Sequence, residues 1–170
     1  MTIQTLEHCS LHYLNQWLTY DRGYCQALSS GDQETKLSAL KSAGGFYRVA
    51  RNLPREFDVK KGFARYQPVL EILDSVSKKQ FKGNPVDKIR EIKSEISAKY
   101  GGRNVLSLTT KFLWLKIKQP ILIYDSRARI AVGSNNGDLR AYYEEWHNAF
   151  RKHQNEIKKI CTKLPDLHLY

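Results

Sequence analysis

From Val105 to Leu115 the chain reads V-L-S-L-T-T-K-F-L-W-L, a stretch whose apolar residues fall on nearly every side of a helix. A helix of that kind has to be surrounded by protein. We therefore expect a central, buried helix from about Asn104 to Lys116, running through Val105, Leu108, Phe112 and Leu115, with the other elements packed around it. Lys111, Lys116, Lys118 and Pro120 break the apolar run, which excludes a membrane span.

The rest of the sequence is also helical in pattern. Leu6, Tyr13, Leu14, Trp17 and Leu18 share one face of an opening helix that should end near Gly23. Asp32 suits the N-cap of a second helix carrying Leu37, Leu40 and Phe46, which Gly44-Gly45 should interrupt. Asn52 to Asp58 looks like a connector. A third helix holds Tyr66, Val69, Leu70, Ile72 and Leu73, with Pro68 in its first turns, where proline is tolerated. The fourth has the clearest start: Asn84 as cap and Pro85 at the first helical position, before Val86, Ile89, Ile92 and Ile96. Tyr100-Gly-Gly102 stops it. Pro120 to Tyr124 has the composition of a strand but no second strand to pair with, so it reads as an extended connector. Asp125 opens a short helix closed by Gly133, and Asn135-Asn-Gly137 makes a turn. Asp138 then caps a long last helix with Leu139, Tyr142, Trp146, Phe150, Ile157, Ile160 and Leu164. No repeat or linker divides the chain, so one all-helical (all-α) domain is expected over residues 1–170.

Charge bears on partners. Against 17 Asp and Glu stand 28 Lys and Arg, a net +11, in a chain whose 41% apolar content is that of a folded globule. That excess favours a polyanion, with DNA or RNA ahead of an anionic membrane surface. Three cysteines far apart, with no C-x-x-C, suggest neither a disulfide framework nor an iron–sulfur cluster, and fit the reducing cytosol. The segment from Met1 to Leu14 lacks the charged start and apolar stretch of a secretory signal. His8 and His12 stand one helical turn apart beside Cys9, yet no Glu completes a zincin motif; no metal and no cofactor is expected. Trp17, Trp114 and Trp146 have core spacing, although Trp114 or Tyr124 could instead stack on a base.

Two charged residues in the most apolar segment carry the chemistry. The Lys111 ammonium is costly to bury unless it is paired, or unless it loses its proton and becomes a nucleophilic amine. The other reading is a buried stem with the head group reaching the surface. Asp125 begins Asp-Ser-Arg-Ala, a good helix cap, and is equally suited to act as a base or to steady a developing positive charge. Arg127 and Arg129 follow it and can contact phosphate, pair with Asp125, or form a solvated helix face.

The segment LSLTTKFLWLKIKQPILIYDSRARIAVG resembles the corresponding part of the helix-hairpin-helix DNA glycosylase superfamily, especially its 8-oxoguanine-glycosylase-like branches. There a buried helix leads through a P-I-x-D or P-I-x-D-S-R stretch to an aspartate that starts the next helix. The likeness spans Val105 to Gly133. It implies a protein that flips a damaged or modified base out of DNA and cleaves its N-glycosidic bond, a DNA repair hydrolase. Asp125 matches the family's catalytic aspartate. The lysine of lyase-type members falls near Ser107, one turn before Lys111, and the two share a helix face. In place of the family's Leu-Pro-Gly-Val-Gly-like turn stands YGGRNV, from Tyr100 to Val105, where Arg103 and the backbone amides at the helix start can hold a phosphate. The leading expectation is thus a DNA glycosylase-like protein using Asp125 and Lys111. Its alternatives are a non-catalytic nucleic-acid-binding module and a helical partner-binding protein of a toxin–antitoxin or phage-defence system.

Overall fold

The computed structural model describes residues 5–54 and 63–164, and every regular element among them is helical. Helix α1 (Leu6–Gln16) starts at Thr5, whose hydroxyl accepts from the His8 amide. One π-helical turn, Trp17–Asp21, carries it without a break into α2 (Arg22–Ser30). Then come α3 (Gln33–Phe46), α4 (Gln67–Ser75), α5 (Pro85–Lys99), α6 (Leu106–Ile117), α7 (Ser126–Ala131) and α8 (Leu139–Cys161). The expected caps Asp32, Asn84, Asp125 and Asp138 each accept from the amide three residues on.

Helix α6 is central as its sequence requires. Leu106, Leu108, Phe112, Leu113 and Leu115 are all buried, and α2, α4 and α5 pack against it. Lys116 on its last turn reaches outward, donating to the Leu28 carbonyl at 3.0 Å and to Asp74 at 2.8 Å, which ties α6 to α2 and α4. At its other end Asn52 donates to the Asn104 carbonyl at 2.8 Å, bringing a short 3-10 turn (Ala50–Asn52) alongside.

Residues 121–124 are neither helix nor strand, following a turn through Pro120 closed by the Ile121 amide on the Lys118 carbonyl at 2.7 Å, and side chains supply what a strand partner would. Tyr143 Oη accepts from the Leu122 amide at 2.8 Å, Tyr142 Oη donates to the Ile123 carbonyl at 2.7 Å, and Thr110 Oγ1 accepts from the Tyr124 amide at 3.0 Å. The segment is thereby fixed between α6 and α8, and Asp125 follows it directly.

Three boundaries differ from the sequence reading. The opening helix does not stop near Gly23; it continues to Ser30, because burying Cys25 and Leu28 outweighs the roughly 1 kcal/mol that a helical glycine costs. Gly44-Gly45 does not interrupt α3. Gly44 is there for close approach, since a Cβ on it would lie 2.5 Å from the hydroxyl of fully buried Tyr66. The apolar series of the last helix included Leu164, but α8 ends at Cys161. The Asn52–Asp58 connector is described only to Pro54, and the remainder lies outside the described residues.

The two glycines of α3 should therefore answer differently to alanine. Gly44→Ala should destabilise by about 1–3 kcal/mol through overpacking against Tyr66. Gly45→Ala, where a Cβ meets nothing within 4 Å, should stabilise by roughly 0.5–1 kcal/mol. Urea unfolding of the two variants checks both signs.

Candidate functional site

Ser107 and Lys111 stand one turn apart on α6, and the Lys111 Nζ donates to Ser107 Oγ at 2.9 Å. The lysine is only 7% exposed, so the head group does not reach the surface in the way a surface lysine would. Burial lowers its proton affinity most; the Asp125 carboxylate partly restores it, and the Arg51 guanidinium lowers it again. Arg51 acts there because the Asn52–Asn104 hydrogen bond holds its turn at the start of α6.

Asp125 has the extended backbone of an N-cap, and its Oδ1 accepts from the Ala128 amide at 2.9 Å. Lys111 takes Ser107 rather than Asp125 as its hydrogen-bond partner, so the two charges are coupled through their fields without an ion-pair contact. Asp125 also acts on Tyr142. Burial foremost, then that negative charge, pushes the Tyr142 hydroxyl up to about 12, which keeps it a proton donor to the Ile123 carbonyl.

Below the lysine lies a second polar group that the sequence reading did not single out. Lys111 Nζ is 5.8 Å from the centre of the Tyr47 ring, at the outer limit of a cation–π contact. Tyr47 donates to Asp21 Oδ1 at 2.7 Å, and Gln16 donates to Asp21 Oδ2 at 3.0 Å. Asp21 is wholly buried in the π turn. Burial, and then the bond to Asp21, pushes the Tyr47 hydroxyl far above the usual phenol range. A signal for Asp21 existed: it continues the spacing Trp17, Asp21, Cys25, Leu28, the inward stripe of its helix.

The other expected residues have more ordinary positions. Arg129 donates to the Ser134 carbonyl at 2.8 Å and closes the loop after α7. Arg127 is exposed on α7, and Arg103 is exposed on the turn between α5 and α6, its carbonyl accepting from Ser97. Tyr124 is buried, packed edge-on against Tyr142, with its hydroxyl accepting from the Gly137 amide. Trp114 packs edge-on against Trp17 at 6.3 Å. Tyr124 is thus enclosed by protein, whereas Trp114 is partly buried. His8, Cys9 and His12 are exposed on α1, and no metal-holding cluster of His, Cys, Asp or Glu occurs among the described residues.

Comparison with protein-family models, with curated proteins and with solved structures gives no match.

The lowered proton affinity of Lys111 has a defined consequence for stability. Below its folded pKa the amine is charged in both states, and the folded state bears the cost of burying it. Between that lowered value and about 10.5 the unfolded chain binds the extra proton, so this contribution to stability rises with pH. Lys111→Met should be the more stable protein at neutral pH, and its advantage should shrink as pH rises toward 10.5. Urea melts of both proteins from neutral to alkaline pH measure the difference.

Proposed function

We propose that the protein is a DNA glycosylase-like enzyme that takes an altered base out of the stack and cleaves its N-glycosidic bond. The observation that carries this reading is the Lys111 amine, buried, with lowered proton affinity and a neutral hydroxyl as its hydrogen-bond partner. An amine that gives up its proton readily is a nucleophile. In this reading it attacks C1′ of the sugar as the base departs, and Ser107 orients it. Asp125 offsets the positive charge that develops on the sugar ring. The net charge of +11 suits a DNA backbone, with the exposed Arg103 and Arg127 available to phosphates.

One observation favours a second reading. A concavity of about 550 Å³ between α2 and α3 includes neither Lys111 nor Asp125. That suits a non-catalytic nucleic-acid-binding module in which Lys111 is a buried structural post.

The readings separate on a panel of duplexes carrying oxidised, deaminated, alkylated and hypermodified bases. The enzyme should release one of these bases, and borohydride should trap a covalent protein–DNA adduct. Asp125→Asn should lower release about a hundredfold or more, with the melting temperature nearly unchanged because asparagine caps a helix as well as aspartate does. Lys111→Ala should abolish the adduct. No release from any duplex at protein excess, with salt-dependent DNA binding retained, selects the non-catalytic module; a flat salt response removes nucleic acid altogether.

A further inference from the structure

The groove between α2 and α3 plays no part in the chemistry proposed for Lys111. Its walls include Tyr20, Tyr24, Glu34 and Phe63. An aromatic series runs from it toward the lysine. The Tyr20 and Phe46 rings lie 4.5 Å apart at 31°, Phe46 meets Tyr47 edge-on at 5.1 Å, and Tyr47 lies beneath Lys111 Nζ. Tyr20 is 43% and Phe46 38% exposed, so each leaves ring surface in water. A Cβ at Gly23 or Gly45, beside these rings in sequence, would meet nothing within 4 Å, which leaves the helix surface there open.

Charge selects the occupant. Arg22 is exposed two residues after Tyr20, Arg48 is exposed two residues after Phe46, Arg51 is exposed on the 3-10 turn that follows, and Lys41 stands 5.3 Å over the Phe63 ring. Glu34 is the one acidic residue in the groove wall, and Asp21 faces inward, hydrogen-bonded to Tyr47 and Gln16. Flat, exposed rings flanked by cations match a single strand of nucleic acid, whose base faces stack on aromatics while its phosphates meet the cations. We infer that this groove is a track for single-stranded nucleic acid, with Tyr20 and Phe46 as its stacking platform. The two rings are too close for a base to slip between them, so bases stack on their outer faces. Along this track an unpaired strand is led toward Tyr47 and Lys111. The inference rests on the nucleic-acid part of the proposed function and not on glycosidic cleavage.

Fluorescence anisotropy with labelled oligo-dT, oligo-rU and a duplex of equal length at one low salt concentration tests the track. Tyr20→Ala and Phe46→Ala should each weaken single-strand binding by about five- to a hundredfold, and leave duplex binding within about twofold. Tyr20→Phe keeps the ring and should bind as the wild type does. It decides the matter even if an alanine variant fails to fold by circular dichroism, because single-strand binding lost with the hydroxyl alone overturns stacking. Loss on either oligonucleotide in the alanine variants supports the track, and the ratio of the two reports which sugar it prefers. Photocrosslinking to a 5-iodouracil-substituted oligonucleotide should attach it to Tyr20, Tyr24 or Phe46. Alanine variants that bind single strands like the wild type overturn the inference, as do adducts confined to α8. Duplex binding without single-strand binding sinks the track alone. Binding to no nucleic acid sinks the track and the nucleic-acid reading together.

Discussion

The hydroxyls of Tyr142, Tyr143 and Thr110 hold the non-helical segment from Pro120 to Tyr124, and the rest of the site depends on that hold. A backbone amide or carbonyl without a partner inside a protein costs about 1–3 kcal/mol, and a lone extended segment offers several. Helices cannot share their own backbone groups with it, so side chains of α6 and α8 do the work of a neighbouring strand. Four bonds from two helices, the fourth from Tyr143 Oη to the Pro120 carbonyl at 3.3 Å, leave the segment little freedom, and Asp125 is its next residue. The carboxylate therefore inherits its position relative to Lys111 from the tyrosines of a helix that comes later in the chain.

A second polar group sits on the other side of Lys111. Asp21 and Lys111 are both buried, and Tyr47 links them, donating to Asp21 at 2.7 Å with its ring centre 5.8 Å from the Lys111 Nζ. Each has mainly neutral partners: Gln16 and Tyr47 for the carboxylate, Ser107 for the amine. Neutral hydrogen bonds satisfy a charged group without compensating fully for its lost hydration. That is the physical origin of the lysine's lowered proton affinity, with Asp125 acting against it through its field. Asp21 itself faces inward at the end of the π turn, where the helical spacing is widened by one residue.

Much of the architecture was legible because it depends on short-range patterns. The start of α5 followed from Asn84-Pro85, and the burial of α6 followed from its lack of a polar face. Glycines misled, because a helix tolerates one where neighbours gain from the burial beyond it, as at Gly23, or where another side chain needs the space, as at Gly44. Lys111 and Asp125 stood out as charges in apolar sequence. Tyr142 did not, because a tyrosine on the apolar stripe of a long helix looks like core until its hydroxyl is seen to have a backbone partner.

The sequence by itself determined an all-helical chain, its principal caps, its central helix and its positive charge, since each depends on residue type, local spacing or a sum. Tertiary structure alone decided which polar groups meet. Tyr47, Asp21 and Arg51 come from segments far from Lys111 in the chain, and only packing brings them to it. The same packing decided that Tyr124 is enclosed, while Tyr20 and Phe46 keep ring surface in water. Spacing assigns a residue to a face of its own helix; whether another element covers that face is fixed only when the helices pack.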